Sequence, residues 1–306
     1  MKNKQDESLN KLLVSTEEPI KDSFSILLSP SDIGVQRNHG RNGARYAPKA
    51  IINVLKKFNK HQINKPLSLI KVSDQNNEKS DFHKMQISSA EKISQTIVNT
   101  SLKKTIHLGG GHDHAFPLLL GIEKSQKFNN IIIVNIDAHC DTRIDDKRHS
   151  GTPFRDFDNE GKLDYHLIQY GIHQFANSAS TLSPLKRGKN NQINFSQKLQ
   201  SSPQDINQFV KNLLQDCPFE ITSKTALFLS LDCDALDATA MQGVSAVNPQ
   251  GLSKEHLSEL LTAIPRLEVN FGHIFLGIYE YNPIYDNLSQ AGARYLSSLI
   301  YEFLEQ

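Results

Sequence analysis

Three polar residues, Asp137, His139 and Asp141, follow the apolar run 131–136 at every second position. On a helix, His139 would lie on the face opposite the two aspartates. On a strand, the two aspartates would be about 13 Å apart. Neither regular form brings three ligands to one metal ion, but a strand end that curls at Cys140 can do so. The alternative is an ordinary polar loop after a strand.

Two further clusters add candidate metal ligands. Asp232 and Asp234 are also two residues apart and end a second apolar run, and His112 follows three glycines. Because glycine allows positive φ and close backbone approach, the glycine turn can aim His112 where an ordinary strand could not. Each cluster alone has a structural alternative, a turn or a helix cap. Their joint occurrence at strand ends favours a metal site.

Two imidazoles and four carboxylates are the ligands that a hard or borderline divalent ion such as Mn²⁺ prefers, whereas zinc sites more often use thiolates. Four carboxylates neutralise about two divalent charges, which is the balance of a two-metal centre with bridging carboxylates. The residue types therefore predict a pair of divalent ions.

The elements that must position these residues alternate along the chain. Strands are predicted at 24–30, 67–74, 104–113, 131–136, 165–173, 225–234 and 273–282, and helices at 47–58, 87–102, 202–216, 253–264 and 291–306. This alternation predicts an α/β fold with a mostly parallel sheet covered by helices on both faces. In such sheets ligands bind outside the carboxyl ends of the strands, which is where the polar clusters lie.

The composition predicts an ordinary soluble protein. The chain has 306 residues, 38% of them hydrophobic and 22% charged, and a net charge of +1, so neither nucleic acid nor a membrane surface is an expected partner. No apolar run approaches the roughly 20 residues of a membrane span, and the start lacks a signal-peptide core, which favours the cytoplasm. We expect a polar N-terminal arm over 1–22, a single catalytic domain over 23–306 and a surface excursion at 177–201.

The motifs "GGGHD", "DAHCD" and "SLDCDALD" resemble the three signature motifs of the ureohydrolases, which include arginase, agmatinase and formimidoylglutamase. The resemblance runs from about residue 30 to the C-terminus and includes the glycine- and arginine-containing block at 33–51. It implies an arginase-like three-layer α/β/α sandwich and two Mn²⁺ ions per subunit.

The resemblance also implies which residues hold each ion. One manganese ion would be held by His112, Asp137, Asp141 and Asp232, and the other by Asp137, His139, Asp232 and Asp234. Asp137 and Asp232 would bridge the two ions, and a hydroxide between them would attack an amidine or guanidine carbon. Asp141 would accept the proton of this hydroxide.

Glu280, in "YEYNP", matches the family glutamate that pairs with the cationic nitrogens of the substrate. The alternative is an exposed glutamate at a strand end.

One segment after "DAHCD" distinguishes among ureohydrolases. Arginases and agmatinases carry a proposed shuttle histidine there, but this chain has Ser150 at that position and His149 one place earlier, in "RHSGTPFRDF". His149 is therefore the candidate for the shuttle role. "SGTPF", "GVSA" at 243–246 and the segment 170–182 resemble formimidoylglutamases.

A formimidoylglutamase acts on N-formimidoyl-L-glutamate in histidine degradation, and releases glutamate and formamide. The two carboxylates of this substrate need hydrogen-bond donors. The candidates are Arg155, Asn177 and Ser150, with Arg143, Arg148 and His173 behind them. For each arginine the alternative is an ordinary surface cation.

Three alternatives stay open at this point. The chain could be an agmatinase or another ureohydrolase that releases urea from a guanidino compound. It could bind a single zinc ion, as the related deacetylases do, or it could bind metal without catalysis. Family members commonly form homo-oligomers, and the sequence is silent on this.

Overall fold

The computed structural model describes residues 7–73, 81–187, 192–195, 203–264 and 271–305. The strands are β1 (Leu13–Ser15), β2 (Phe24–Ser29), β3 (Leu67–Lys71), β4 (Lys104–Gly109), β5 (Asn130–Ile136), β6 (Asp164–Ile172), β7 (Gln192–Phe195), β8 (Thr225–Asp232) and β9 (His273–Tyr279). They form one sheet in the order β1-β3-β2-β4-β9-β8-β5-β6-β7. Every strand pair in it is parallel.

Helices cover both faces of this sheet. They are α1 (Ile33–Arg37), α2 (Ala47–Leu55), α3 (Phe82–Asn99), α4 (Ala115–Lys124), α5 (Pro153–Glu160), α6 (Pro203–Gln215), α7 (Lys254–Ala263) and α8 (Ala291–Glu305). Helices α2, α6, α7 and α8 contribute to one hydrophobic core. Helices α3, α4 and α5 contribute to the other. The result is three layers, with the sheet in the middle.

The central strands are mostly apolar because both of their faces are buried. In β5, Ile132, Val134 and Ile136 belong to the first core. Ile131 and Ile133 point to the opposite face and belong to the second. A side-chain period of two thus places neighbouring residues in different cores.

The predicted α/β fold, a parallel sheet with helices on both faces, is confirmed. Five strands and helices of the structure were not predicted: β1, β7, α1, α4 and α5. Helix α4 is buried on nearly all sides, so its apolar residues lack the one-sided period that identifies a helix. Strand β7 lies within the expected surface excursion at 177–201, of which 188–191 and 196–201 lie outside the described residues.

Part of the expected polar N-terminal arm over 1–22 docks against the rest of the chain. Leu9 is fully buried, and its amide donates to the Phe58 carbonyl at 2.8 Å. Strand β1 pairs with β3, with Leu13 opposite Leu67. The apolar residues of this short segment therefore extend the sheet by one strand. Residues 1–6 lie outside the described part of the chain.

Four neighbouring strands in the centre of the sheet, β4, β9, β8 and β5, lead into the segments that carry His112, Glu280, Asp232 and Asp137, respectively. Because all strands run parallel, their carboxyl ends lie at one edge, and the clusters converge there. In the part of the chain that the structure describes, no helix is long and apolar enough to cross a membrane.

Candidate metal centre and active-site cleft

His112 reaches the centre of this edge through the glycine turn after β4. A Cβ atom on Gly110 would lie 2.0 Å from the Ser31 carbonyl oxygen, so only glycine fits there. His112 is fully buried. Its Nε2 lies 2.8 Å from Ser230 Oγ, and this contact turns Nδ1 toward the carboxylates.

The His112 Nδ1 atom faces three carboxylate oxygens. It lies 3.2 Å from Asp137 Oδ2, 2.9 Å from Asp141 Oδ2 and 3.2 Å from Asp232 Oδ2. These four side chains come from the ends of β4, β5 and β8. The sheet therefore brings one imidazole and three carboxylates to a single point.

The segment 137–141 curls at its end as predicted. Asp141 has a φ of 51°, in the left-handed region, so the turn returns its carboxylate toward Asp137 rather than continuing away from it. Asp137 Oδ1 accepts a hydrogen bond from the His139 amide at 2.7 Å. Asn177 holds the turn from outside, because its Oδ1 accepts from the Cys140 amide at 2.8 Å.

Asp232 and Asp234 complete the floor of the site. Asp232 Oδ1 accepts a hydrogen bond from the Asp234 amide at 2.9 Å. Asp234 Oδ2 lies 3.1 Å from His139 Nδ1. The side chain of His139 is 33% exposed, so this side of the site is open to solvent.

The donor atoms fall into two groups that share Asp137, and within each group they lie within 4.8 Å of one another. The groups are His112, Asp137, Asp141 and Asp232, and Asp137, His139 and Asp234. The structure thus brings together all six predicted ligands. Asp232 belongs to the first group only, so its bridging role stays a prediction.

The buried atoms of this cluster fit a cation. Within the described residues, His112 Nδ1 and Asp234 Oδ1 are buried and have no partner in hydrogen-bond geometry. Such unsatisfied atoms are costly unless something else satisfies them. Oxygen and imidazole donors arranged in two groups with a shared carboxylate suit two divalent ions.

The electrostatics of the cluster show the same need for positive charge. Burial raises the pKa of Asp141 to about 6, and the neighbouring Asp137 charge adds to this rise. Burial also raises the pKa of Asp232. The Asp234 carboxylate raises the pKa of His139. Protons thus stabilise the site when no metal is bound, and metal binding would release them.

Glu280 follows β9 directly and has a φ of 62°. Its amide donates to the Gly110 carbonyl at 2.7 Å, and its Oε1 accepts from the His112 amide at 3.0 Å. Burial raises the pKa of Glu280 to about 8. It is therefore a buried carboxyl beside the metal cluster, not the exposed glutamate of the alternative interpretation.

A cleft of about 480 Å³ opens above this floor, and Glu280 is among its lining residues. Its wall carries polar side chains from several loops: Asn38, Arg143, Ser150, Ser178, Thr181 and Ser245. The Arg143 guanidinium donates to Asn38 Oδ1 at 2.7 Å and lies 2.9 Å from Asp145 Oδ2. The cleft thus combines a metal-binding floor with a cation in its wall.

A sequence model of the arginase family matches residues 22–305. The chain belongs to the arginase family. A formimidoylglutamase from Staphylococcus aureus is 29% identical over 275 residues, which cover 90% of this chain and 83% of the relative. A formimidoylglutamase from Vibrio cholerae is 27% identical, with 89% of this chain and 80% of the relative covered.

A solved structure shares the fold. The formimidoylglutamase from Bacillus subtilis superposes with a TM-score of 0.77 at 22% identity, covering 98% of this chain and 91% of that one.

Arg155 does not contribute to the cleft wall, contrary to the sequence-based prediction. Its Nε and one terminal nitrogen donate to the Thr142 carbonyl at 3.1 and 3.0 Å, and it is not among the residues that line the cleft. Arg148 also lies outside the cleft lining, beside Asp156 and over the Phe116 ring. Arg143, which the sequence-based prediction ranked behind Arg155, lies in the wall.

His149 also differs from its expected shuttle role. Its Nε2 lies 2.7 Å from Asp145 Oδ2, and its Nδ1 accepts from the Gly151 amide at 3.0 Å. Both ring nitrogens are therefore used within the loop, and the buried side chain does not line the cleft. Its neighbour Ser150 does, and accepts a hydrogen bond from Asn38 Nδ2 at 3.1 Å.

Asn177 lines the cleft, but its amide group is occupied. Nδ2 donates to the carbonyls of Ala138 and His173 at 3.0 and 2.8 Å. The His173 amide donates to the Ala138 carbonyl at 3.0 Å, so both residues support the turn that carries His139. These contacts indicate positioning of the metal motif in place of the expected contact with substrate.

Four polar residues of the wall were not predicted from the sequence: Asn38, Ser178, Thr181 and Ser245. They lie in segments that carry the family resemblance, 33–51, 170–182 and 243–246. The resemblance therefore covers these segments, but the sequence alone does not show that they meet at one cleft.

Proposed function

We propose that this chain is a binuclear manganese hydrolase that cleaves a C–N bond of N-formimidoyl-L-glutamate, releasing glutamate and formamide. The observation that carries the proposal is the pair of ligand groups sharing Asp137, at the floor of a cleft whose wall presents Arg143. Membership of the arginase family and the similarity to relatives named formimidoylglutamase support it.

Manganese is the proposed metal for two reasons. The ligand set has four carboxylates, two imidazoles and no thiolate, which suits Mn²⁺ better than zinc. A structurally similar Trypanosoma cruzi formiminoglutamase, with a TM-score of 0.74 at 20% identity over 97% of both chains, was solved with Mn²⁺. When bound, two divalent ions lower the pKa of water and so supply a nucleophile at neutral pH.

Glu280 supports a cationic group as the reacting end of the substrate. It is a buried carboxyl that faces the cleft beside the ligand groups. An amidinium placed against Glu280 would make a charge-assisted hydrogen bond with it. Such a bond fixes the formimidoyl carbon near the floor, where the nucleophile is generated.

Arg143 supports an acidic group at the other end of the substrate. Its side chain is half exposed, at 50%, and Asn38 and Asp145 hold it in place. The Ser150 hydroxyl lies nearby, since it bonds to the same Asn38 side chain. A planar guanidinium binds a carboxylate through two parallel hydrogen bonds, which suits the carboxylates of a glutamate derivative.

The reaction then moves both protons of one water molecule from its oxygen to the leaving nitrogen. The water oxygen bonds to the formimidoyl carbon, and the bond from this carbon to the glutamate nitrogen breaks. Asp141, at the floor of the cleft, accepts the first proton of the attacking water and returns it to the departing amine. The second proton leaves the oxygen as the formamide carbonyl forms, and it also goes to the amine, because the substrate starts as a cation. The products are formamide and glutamate with a protonated amino group.

A substrate panel tests this proposal. The manganese-loaded protein is incubated separately with N-formimidoyl-L-glutamate, arginine and agmatine, and formamide, glutamate and urea are measured. The proposal predicts equal amounts of formamide and glutamate from the first compound and no urea from the other two. Urea from arginine or agmatine without formamide from the first would overturn it and identify a guanidino substrate.

A further inference from the structure

The Tyr279 ring lies directly against the His112 imidazole. The two rings stack with centroids 5.0 Å apart and an angle of 23° between their planes. On another side, the Phe154 ring meets the imidazole edge to face, at 5.6 Å and 88°. Since both aromatic side chains are buried, the His112 ring has packed surfaces that restrict its rotation.

Two glycines leave the space that Tyr279 occupies. A Cβ on Gly109, at the end of β4, would lie 2.6 Å from Tyr279 Cδ1. A Cβ on Gly277, in β9, would lie 2.4 Å from Tyr279 Oη. Any other residue at either position would displace the ring. The two strands are thus adapted to one tyrosine in one orientation.

A chain of hydrogen bonds fixes the far end of this ring. Tyr279 Oη lies 3.0 Å from His107 Nδ1, and His107 Nε2 lies 2.8 Å from Ser29 Oγ. We call Ser29, His107 and Tyr279 the hydrogen-bonded column, or the column. All three are buried, and they lie on three adjacent strands, β2, β4 and β9.

We infer that Tyr279 is a positioning residue for His112. The column holds the plane of the imidazole, while Ser230 Oγ at Nε2 fixes its rotation within that plane. Together they direct Nδ1 at the three carboxylates of the first ligand group. The inference rests on the proposed function only in so far as the chain binds divalent ions.

The column is on the His112 side of the metal cluster. The second ligand group takes its imidazole from His139, after β5, whose turn is held by Asn177. Loss of the Tyr279 ring should therefore weaken one ion selectively. Residues that orient a metal ligand typically change metal affinity by about 10- to 100-fold when they are replaced.

The test measures Mn²⁺ affinity and stoichiometry by titration of the full-length chain. Tyr279→Met replaces the ring with a flexible apolar side chain that fills part of the space it leaves. Tyr279→Phe keeps the ring. Phe275→Met is the matched control, because Phe275 is a fully buried ring in the same core and the same strand, four residues away.

We expect Tyr279→Met to weaken the binding of one of the two ions at least about 10-fold. Tyr279→Phe, which keeps the ring but loses the bond to His107, should weaken the same ion less, and Phe275→Met should stay within about 3-fold of wild type. Equal affinities in Tyr279→Met and Phe275→Met, or equal weakening of both ions, would overturn the inference. Tyr279→Leu and Phe275→Leu form a second pair that decides the question if either methionine variant does not fold. A wild-type chain that binds fewer than two ions would contradict the proposed function instead.

Discussion

At the residue scale, the floor of the site was more predictable than its wall. Asp137, His139 and Asp141 lie within five residues of sequence, and each motif follows a strand, so local pattern places them. The wall depends on which loops meet. Asn38 and Arg143 are 105 residues apart and touch only in the folded chain. The sequence therefore predicted an arginine in the wall of the cleft, but the predicted residue was Arg155, whereas the structure places Arg143 there.

Replacing Arg143 separates these two arginines by experiment. We expect Arg143→Met to raise KM for N-formimidoyl-L-glutamate about 10- to 100-fold, because a charged hydrogen bond contributes about 1.5–3 kcal/mol, and to change kcat less. Arg155→Met should change KM less than about 3-fold, because Arg155 contacts the Thr142 carbonyl and not the cleft. Steady-state kinetics of the two variants side by side give the answer; the reverse ranking would contradict the geometry.

His149 can be tested with an asparagine. The Asn oxygen can accept from the Gly151 amide as His149 Nδ1 does, since asparagine forms this local bond readily. We expect His149→Asn to lower kcat less than about 10-fold and to leave the pH profile of kcat unchanged. A loss of about 100-fold or more, with one limb of the profile missing, would support a shuttle role.

At the element scale, the alternation of strands and helices made the fold predictable, because a parallel strand that is buried on both faces is mostly apolar. The missed elements carry weaker signals. Strand β1 has three residues and lies at the edge of the sheet, and α4 is apolar on nearly all sides. Packing in the folded chain, not local pattern, defines them.

The docking of the N-terminal segment gives a stability prediction. Leu9 is fully buried in the first core, whereas Val14 in β1 is 39% exposed. We expect Leu9→Ala to lower the free energy of unfolding by about 2–5 kcal/mol and Val14→Ala by about 0.5 kcal/mol. Urea denaturation measures both. An unchanged urea midpoint for Leu9→Ala would show that the N-terminal segment does not pack stably against the core.

At the scale of the whole molecule, several histidines outside the metal cluster are buried. Burial lowers the pKa of His107, His256 and His273, the last to about 3. An unfolded histidine titrates near pH 6.5, so the unfolded chain binds more protons than the folded one below that pH. Each of these groups therefore makes the fold less stable as the pH falls below about 6.5.

His273 gives this effect a measurable size. Because its pKa is lowered to about 3, this one group should reduce the free energy of unfolding by about 2 kcal/mol between pH 8 and pH 5. Glutamine can keep a hydrogen bond to Thr105, whose Oγ1 lies 2.9 Å from His273 Nε2. Urea denaturation of the metal-free proteins measures this effect. We expect the drop in the free energy of unfolding between pH 8 and pH 5 to be about 2 kcal/mol smaller in His273→Gln than in wild type. Parallel pH profiles would contradict the neutral buried state.

The central claim is that two ions share Asp137, and the number of Mn²⁺ ions bound per chain tests it most directly. Equilibrium dialysis with metal analysis is carried out on wild type, Asp137→Ala and Asp234→Ala. The shared carboxylate predicts two ions in wild type, one in Asp234→Ala, which damages only the second group, and fewer than one in Asp137→Ala. One ion in wild type, or two retained in Asp137→Ala, would contradict the shared site.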